Sequence, residues 1–279
     1  MPILSGTSRI AGIIGWPVSH SRSPRLHGHW LDRYGIDGAY IPLPVRPEHF
    51  ASAVKGVQNA GFAGANVTIP HKIAAFEICD VVEDSARRAG AVNTLVFNDG
   101  RITGSNTDGW GFLAHLRANQ VALQRRPALL LGAGGAARAI AAVLLDAGVP
   151  VTVANRTPQR AERLAVDLPG LSLVPWEART QAMREAALLV NTTSLGMHGH
   201  PPLDLPLDHA SPGLVVCDIV YVPLETPLLA DARARGLKAV DGLGMLLHQA
   251  VPGFHAWFGR MPEVDDQLRH FVARDLIEA

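Results

Sequence analysis

Short apolar segments alternate with helical patterns along nearly the whole chain of 279 residues. This alternation predicts parallel strands joined by right-handed helical crossovers, because parallel neighbours need a long connection back to the same end of the sheet. The first strands are predicted at Ile10–Gly15, Ala39–Val45, Ala65–Ile69 and Val92–Phe97. A second series is predicted at Ala128–Leu131, Val151–Ala154, Leu171–Val174, Leu188–Thr192, Leu214–Ile219 and Leu237–Val240. The pattern therefore predicts an α/β protein with two sheets.

Helical patterns fill most of the gaps between these strands. They lie at Pro24–Tyr34, Pro47–Ala60, Gly109–Asn119, Ala136–Ala147, Gln159–Leu168 and Pro227–Arg235. The six strands of the second series are enough for one doubly wound, Rossmann-type sheet, and the first series forms a smaller α/β unit. Two C-terminal patterns, Met245–Phe258 and Glu263–Ile277, have no strand after them, and we expect these helices to return to the first unit.

The predicted domains are residues 1–107 with 243–279, and residues 108–242. No stretch rich in Ser or Pro separates them, so we expect a tight junction with a cleft between the domains.

The composition excludes several classes of protein. Hydrophobic residues make up 48% of the chain and charged residues 18%, which excludes a disordered chain. The 25 basic and 25 acidic residues balance, so we expect neither a nucleic-acid nor a membrane partner. No membrane span or signal peptide is apparent, and two cysteines, Cys79 and Cys217, are too few for a disulfide framework. We therefore expect a cytoplasmic protein.

Two His-x-His pairs, His27/His29 and His198/His200, raise the question of a metal site. Neither pair has a cysteine or an acidic cluster at a recognised ligand spacing, so we predict that the protein binds no metal.

The segment Ala128–Arg138 has the order strand, glycine turn, helix, and Gly132, Gly134 and Ala137 fit the pattern G-x-G-x-x-G/A. The glycines permit a tight turn and close approach of a pyrophosphate, which the helix N-terminus attracts. A tight turn that binds nothing is the alternative. The strand before, the helix after and a second strand at Val151–Ala154 favour a dinucleotide site.

The end of the second nucleotide strand indicates which dinucleotide binds. An NAD site usually has an acidic residue there, whereas this chain has Asn155-Arg156-Thr157 followed by Arg160. Guanidinium groups pair with a 2′-phosphate, so the sequence favours NADP. Thr157 also suits the N-cap of a helix that begins at Pro158, and the two roles are compatible.

A candidate reacting centre lies in the first unit, where Gly64–Lys72 reads as a strand that ends in a turn with a lysine. Asn66 and Thr68 are two residues apart and so face one side of the strand. Lys72 is a candidate proton donor, and a solvated surface lysine is the alternative. Asp108 at a strand-to-helix junction is either its carboxylate partner or a helix cap.

The loop Gly15–Pro24 is rich in serine and precedes a helix. Ser23 before Pro24 suits an N-cap, and the same geometry suits a substrate carboxylate held by hydroxyls and helix N–H groups.

Together with several further motifs, the segments described above resemble the shikimate dehydrogenase family, and the resemblance extends from about Ile10 to Ala250. The matching blocks are Gly15–Pro24, Asn66–Lys72, Gly90–Thr94, Asn106–Gly109, Gly132–Ala137, Asn155–Thr157, Asn191–Met197, Asp218–Tyr221 and Asp241–Gln249. The resemblance implies an enzyme of the shikimate pathway, which leads to chorismate and the aromatic amino acids. It implies reversible, NADPH-dependent reduction of 3-dehydroshikimate to shikimate, with the N-terminal domain binding the substrate.

The resemblance also implies roles for individual residues. Lys72 would donate and accept the proton, with Asp108 beside it. The substrate carboxylate would be held by Ser21, Ser23 and Tyr221. The ring hydroxyls would be bound by Asn66, Thr68, Asn93, Asp108 and Gln249. NADP would be bound by Gly132, Ala133, Gly134, Gly135, Ala136, Asn155, Arg156, Thr157 and Arg160, with Ile219 and Gly242 near the nicotinamide.

The chain departs from the family pattern at two places. Gly28 follows His27 where the family often has asparagine, and Ile219 stands where a larger residue such as methionine is sometimes found.

The sequence leaves three alternative functions to compare. A quinate/shikimate dehydrogenase of broader specificity would use nearly the same contacts. A non-catalytic NADPH-binding sensor would be expected to lack Lys72 or Asp108, and both are present. A folate-type methylene dehydrogenase is disfavoured by the serine-rich loop. The oligomeric state stays open, with a homodimer among the alternatives.

Overall fold

The computed structural model describes residues 3–123 and 126–277. This part of the chain divides into two compact units. The first contains the described residues up to Thr107 together with Leu247–Arg274, and the second contains Asp108–Leu246 together with the described residues from Asp275 onward. Each unit is built around a six-stranded sheet, which confirms the predicted α/β class.

The sheet of the first unit is mixed. Its strands are β1 (Arg9–Gly15), β2 (Gly38–Pro44), β3 (Gly64–Val67), β4 (Val81–Val82), β5 (Thr94–Asn98) and β6 (Arg101–Ser105), in the order β2-β1-β3-β5-β6-β4. β1 runs parallel to β2 and β3, as the strand–helix alternation predicts. β5 is antiparallel to both β3 and β6. The hairpin between β5 and β6 turns at Asp99 and Gly100, whose φ angles of 48° and 74° lie in the left-handed region that such turns require.

The helices of the first unit are short. They are α1 (Ser23–Arg33), α2 (Phe50–Asn59), α3 (Lys72–Ile78) and α4 (Asp84–Ala89), with a 3₁₀ turn at Pro47–His49 before α2. Arg22 occupies the N-cap of α1, so Ser23 is the first residue of the helix rather than its cap.

Two C-terminal helices complete the first unit, as predicted. They are α10 (Gly242–Phe258), whose residues from Leu247 onward belong here, and α11 (Asp266–Ile277), which belongs here as far as Arg274. The indole N–H of Trp257 donates to the carbonyl of Leu95 at 2.9 Å. A Cβ atom at Gly64 would lie 2.2 Å from that indole nitrogen, so glycine at this position lets the helix approach the sheet.

The second unit has an entirely parallel sheet. Its strands are β7 (Ala128–Leu131), β8 (Val151–Ala154), β9 (Leu171–Val174), β10 (Leu188–Asn191), β11 (Val215–Asp218) and β12 (Lys238–Val240), in the order β12-β11-β10-β7-β8-β9. Neighbouring strands pair in parallel throughout. This order is the doubly wound arrangement in which the strand order reverses beside the first strand, and it confirms the predicted Rossmann-type sheet.

Helices cover this sheet and supply its two cores. They are α5 (Asp108–Ala118), α6 (Gly135–Asp146), α7 (Pro158–Asp167), α8 (Arg179–Glu185) and α9 (Pro227–Ala234). Along β7, Leu130 packs in one apolar cluster while Leu129 and Leu131 pack in the other. Both faces of the strand are therefore buried, which explains its unbroken apolar sequence. No helix among the described residues combines the length and the apolarity that crossing a membrane requires.

Candidate active site

The glycine turn of the second unit follows β7 directly. Gly132 has a φ of 111°, and a Cβ atom there would lie 2.6 Å from the hydroxyl of Thr192. Backbone conformation and packing therefore both require glycine at this position. Ala137, the third small residue of the pattern, is fully buried. These two positions are explained by the fold of the turn itself.

Gly134 is different, because nothing in the fold requires glycine there. Its φ of −89° is available to any residue, and a Cβ atom would have no neighbour within 4 Å. Gly135 likewise has open space around it. α6 begins at Gly135 with no side-chain cap and no acidic residue in its first turn, within the part of the chain described. The open backbone and uncapped helix N-terminus fit a pyrophosphate group.

The segment after β8 carries the residues predicted to bind a 2′-phosphate. The side-chain amide of Asn155 donates to the carbonyl of Thr157 at 2.7 Å, which fixes the entry into α7. Thr157 occupies the N-cap position, although its hydroxyl makes no capping hydrogen bond. Arg156 and Arg160 are both exposed, and α7 has no acidic residue in its first turn. This helix end is therefore suited to an anion.

The carboxyl edge of the same sheet holds a buried acidic group, Asp218, at the end of β11. It is 1% exposed, and burial raises its pKa to about 6 although three hydrogen bonds favour the ionised form. Those bonds come from the amide N–H of Val220, the side-chain amide of Asn191 and the hydroxyl of Thr226. Asp218 has no role predicted from the sequence, although the matching block Asp218–Tyr221 contains it.

Gly242, predicted to lie near the nicotinamide, packs against the segment that follows β11. A Cβ atom at Gly242 would lie 2.3 Å from the carbonyl oxygen of Ile219 and 2.7 Å from that of Val220. Glycine therefore permits close contact between two backbone segments at the sheet edge where nucleotides bind in such folds. The structure thus brings together Ile219 and Gly242, which the sequence analysis paired.

The first unit contains a connected set of buried polar side chains. Asn66, at the end of β3, accepts a hydrogen bond from the hydroxyl of Tyr40 at 2.6 Å and donates to Thr94 at 3.2 Å. Thr94 donates to Asn93 at 2.9 Å. Asn93 donates to the hydroxyl of Thr107 at 3.1 Å and accepts the amide N–H of that residue at 2.9 Å.

Two further predicted residues join this set at its ends. The hydroxyl of Thr107 lies 3.4 Å from the side-chain oxygen of Gln249 on α10. Tyr40 is hydrogen-bonded to Ser23, and burial raises its pKa well above the usual range. The structure thus links Ser23, Asn66 and Gln249, which the sequence analysis selected from separate blocks. We call Ser23, Tyr40, Asn66, Asn93, Thr94, Thr107 and Gln249 the polar network.

Sequence reasoning missed three members of the polar network. Thr94 and Thr107 stand inside matching blocks, and their adjacency to Asn93 and Asp108 was the available signal. Tyr40 lies on β2 in an apolar context and has no local signal. Its partner Asn66 is 26 residues away along the chain, so only the pairing of strands reveals the contact.

Lys72 is the first residue of α3 and is half-buried. The preceding residue, His71, is buried, donates its ring Nε2–H to the carbonyl of Val45 at 2.8 Å and stacks on Phe50 with ring centroids 4.6 Å apart. The carbonyl of Lys72 accepts the amide N–H of Val92 at 2.9 Å. The backbone that carries the lysine is therefore fixed on both sides, although the lysine side chain itself is long.

The serine loop and Thr68 lie next to each other. Thr68 follows β3 by one residue, and its amide N–H still donates to the carbonyl of Ile14 at 2.9 Å. A Cβ atom at Gly15 would lie 2.5 Å from the methyl group of Thr68, so glycine at the start of the loop makes room for this side chain. Within the loop, the hydroxyl of Ser21 accepts the amide N–H of Ser23 at 3.3 Å.

The remaining predicted residues are divided between the units. Asp108 is half-buried and is the first residue of α5, in the second unit. Tyr221 is half-buried and also belongs to the second unit, while Lys72 belongs to the first. The described residues contain no group of three or more potential metal ligands.

Sequence comparisons identify related proteins over most of the chain. Three family models match: "Shikimate dehydrogenase substrate binding domain" over residues 13–95, "Shikimate / quinate 5-dehydrogenase" over 113–197, and "Shikimate 5'-dehydrogenase C-terminal domain" over 242–266. A curated relative from Acidiphilium cryptum (strain JF-5), named shikimate dehydrogenase (NADP(+)), is 67% identical over 275 residues that cover 99% of each protein.

Two solved structures extend the comparison. Shikimate 5-dehydrogenase from Thermus thermophilus, in complex with NADP(H) and shikimate, has a TM-score of 0.87 and 41% identity, covering 96% of this chain and 99% of that chain. Quinate dehydrogenase from Corynebacterium glutamicum, in complex with NAD, has a TM-score of 0.89 and 30% identity, with coverage of 96% and 99%.

Proposed function

The chain belongs to the shikimate dehydrogenase family, and we propose that it catalyses the reversible, NADP-dependent reduction of 3-dehydroshikimate to shikimate. The observation that carries this proposal is the polar network of the first unit, which presents amide and hydroxyl groups suited to the ring hydroxyls of such a substrate. Buried polar groups of this kind discriminate strongly between substrates with and without matching hydroxyls. The substrate domain is proposed to comprise residues 1–107 with 243–279, and the NADP domain residues 108–242.

In the proposed reaction, bound NADPH supplies a hydride to the carbonyl carbon of 3-dehydroshikimate. Lys72 donates a proton to the carbonyl oxygen as negative charge develops there, and it accepts that proton again in the reverse direction. Asp108 orients the ammonium group and a ring hydroxyl. The well-anchored backbone of Lys72 supports this role, because proton transfer requires a fixed donor.

The substrate carboxylate is proposed to bind Ser21, Ser23 and Tyr221. The ring hydroxyls are assigned to Asn66, Thr68, Asn93, Asp108 and Gln249. Ser23 is buried at the start of α1, an 11-residue helix whose N-terminus favours an anion. Recognition of the carboxylate would therefore rest on hydroxyl groups and a helix end.

NADP is proposed to bind the glycine turn through Gly132, Ala133, Gly134, Gly135 and Ala136. The 2′-phosphate end is assigned to Asn155, Arg156, Thr157 and Arg160, and the nicotinamide end to Ile219 and Gly242. The exposed guanidinium groups of Arg156 and Arg160 support NADP over NAD.

The second candidate function is that of a quinate/shikimate dehydrogenase of broader specificity. The similarity to the quinate dehydrogenase structure supports this alternative. Shikimate and quinate should each be offered with NADP and with NAD, and kcat/KM measured from the absorbance of the reduced nucleotide. We expect shikimate with NADP to be the preferred pair. Preference for quinate with NAD would contradict both the substrate and the nucleotide assignment.

A cytoplasmic location is part of the proposal and is supported by the two cysteines, Cys79 and Cys217, which are both free. Monomer and homodimer are alternatives that light scattering of the purified protein separates.

A further inference from the structure

The carboxylate of Asp218 accepts hydrogen bonds from donors in three different segments of the chain. The amide N–H of Val220 and the side-chain amide of Asn191 both donate to Oδ1 at 3.0 Å. The hydroxyl of Thr226 donates to Oδ2 at 2.8 Å. A buried carboxylate is costly unless such donors surround it, so all three segments are bound to one position.

The donors extend this connection into the neighbouring loops. The side-chain oxygen of Asn191, at the end of β10, accepts the amide N–H of Thr193 at 3.1 Å and its hydroxyl at 2.7 Å. Thr226 is the N-cap of α9 and accepts the amide N–H of Leu229 at 3.4 Å. One carboxylate therefore ties together the loop after β10, the segment after β11 and the start of α9.

The segment Ile219–Tyr221 runs between Asp218 and Thr226, and it contains residues assigned to the nicotinamide and to the substrate carboxylate. The amide N–H of Ile219 donates to the carbonyl of Asn191 at 3.1 Å. On its other side, Gly242 approaches the carbonyl of Ile219 so closely that a Cβ atom would lie 2.3 Å away. The segment is therefore held by Asp218 through Val220 and is packed against Gly242 at Ile219 and Val220.

We propose that Asp218 is a positioning residue that fixes Ile219–Tyr221 in the conformation that hydride transfer requires. This inference rests on the proposed function. Asp218 acts through the backbone of Val220 and the side chains of Asn191 and Thr226, and it need not touch the substrate. Small displacements of groups that orient the reacting atoms lower the rate far more than they lower binding.

The test is the replacement Asp218→Asn, which keeps the shape and exchanges one acceptor oxygen for a donor. We expect kcat to fall about 10- to 100-fold. The primary isotope effect with NADPH deuterated at the transferred hydrogen should increase, because hydride transfer then limits turnover more completely. Binding of adenosine 2′,5′-bisphosphate, which lacks the nicotinamide, should change less than about threefold, because Arg156 and the glycine turn are untouched.

A second readout is independent of turnover. The fluorescence of NADPH reports the surroundings of its nicotinamide, so we expect the emission of bound NADPH to differ between Asp218→Asn and the unchanged protein. If the unchanged protein does not oxidise shikimate but this difference is found, the proposed function fails while the positioning role stands.

Two controls separate positioning from stability. Leu229→Ala removes a fully buried side chain of α9 without removing a donor to Asp218, so it should lower the melting temperature and leave the isotope effect and the NADPH emission unchanged. Thr226→Ser removes a buried methyl group but keeps the hydroxyl, so its melting temperature should fall while its isotope effect and NADPH emission stay unchanged. The proposal is overturned if Asp218→Asn loses stability as Leu229→Ala does while its isotope effect and NADPH emission stay unchanged.

Discussion

The proposed ligand sites of the two units are built from different parts of the chain. In the second unit the proposed nucleotide site is made largely of backbone, with an open turn at Gly134 and an uncapped start of α6. In the first unit the proposed substrate site is made of side chains that already bond to one another, as Tyr40 does to Asn66. Small changes in the backbone should therefore damage nucleotide binding, whereas deletion of single polar atoms should damage substrate selection.

The largest expected effect tests the side-chain chemistry of the first unit. Lys72→Ala should lower kcat about 10²- to 10⁴-fold with little change in KM, because the proton donor is lost while the binding groups remain. Steady-state kinetics with shikimate and NADP measure both constants. Lys55→Ala, which removes an exposed lysine of α2 in the same unit, is the matched control and should leave kcat unchanged. Near-normal turnover by Lys72→Ala would exclude the assigned role.

The next largest effect is expected at the 2′-phosphate end of the nucleotide site, where the charge of arginine side chains should determine the affinity for NADP. Arg156→Ala should raise the Kd for NADP about 10- to 100-fold and leave the Kd for NAD nearly unchanged, because only NADP carries the 2′-phosphate. Titration calorimetry with both nucleotides measures the difference. Arg163→Ala, an exposed arginine further along α7, should change neither Kd. An equal loss for NADP and NAD would remove Arg156 from the 2′-phosphate site.

Backbone recognition is tested more directly at Gly134. Gly134→Ala adds a methyl group where no atom outside the adjacent residues lies within 4 Å, so stability should be retained while the Kd for NADP rises roughly tenfold. Gly132→Ala, by contrast, should destabilise the fold, since it forces a φ of 111° on alanine and a contact of 2.6 Å with Thr192. Thermal unfolding and nucleotide titration of both variants separate the two causes. Unchanged NADP affinity in Gly134→Ala would mean that the open turn is not the pyrophosphate site.

The same contrast explains what the sequence could predict. Strands of the second unit are mostly apolar, and β7, β8 and β9 are followed by glycine, asparagine and proline. These three strands match their predicted bounds. In the first unit, β6 reads Arg-Ile-Thr-Gly-Ser and lacks a strong apolar pattern, and it was missed. Its hairpin partner β5 begins two residues later than predicted and ends one residue later, directly before the turn at Asp99 and Gly100.

Prediction of the site follows the same rule. Gly132, Gly134 and Ala137 could be selected from the sequence because the residues of this backbone motif are neighbours in the chain. The polar network was found only in part, because its contacts join residues distant in sequence, such as Thr107 and Gln249. A single sequence does not reveal which polar side chains meet across strands, so Tyr40 could not be selected.

A smaller effect on stability and on the KM for shikimate is expected when Tyr40, which could not be selected from the sequence, is replaced. Tyr40→Phe removes the donor to Asn66 and should destabilise the protein by about 1–3 kcal/mol, because a buried oxygen is left without a partner. The KM for shikimate should rise by up to roughly tenfold, since Asn66 loses its fixed orientation. Tyr34→Phe is the control: the Tyr34 hydroxyl accepts the amide N–H of Glu263 at 3.0 Å, outside the polar network, so KM should not change. An unaltered KM in Tyr40→Phe would separate the network from substrate binding.

The smallest effect on activity and the clearest effect of pH are expected at His27, which stacks on Tyr40 with ring centroids 3.9 Å apart. His27 is fully buried among aromatic rings, and neither ring nitrogen has a hydrogen-bond partner among the described residues. Burial lowers its pKa from 6.5 to about 3. Between these two values the unfolded chain binds a proton that the folded protein does not, so stability is lost as pH falls.

Uptake of this proton by the unfolded chain should make the unfolding free energy depend on pH, and one variant should remove that dependence. From about pH 6 toward pH 3, His27 should contribute a loss of about 1.4 kcal/mol of unfolding free energy per pH unit. His27→Phe keeps an aromatic ring against Tyr40 and should abolish that part of the slope, while kcat stays near its original value because the polar network is preserved. Urea unfolding at a series of pH values measures the slope, and His255→Phe, an exposed position of α10, serves as the control. An identical slope in His27→Phe would show that the acid sensitivity of the first unit lies elsewhere, whereas a large fall in kcat would show that the imidazole does more than support Tyr40.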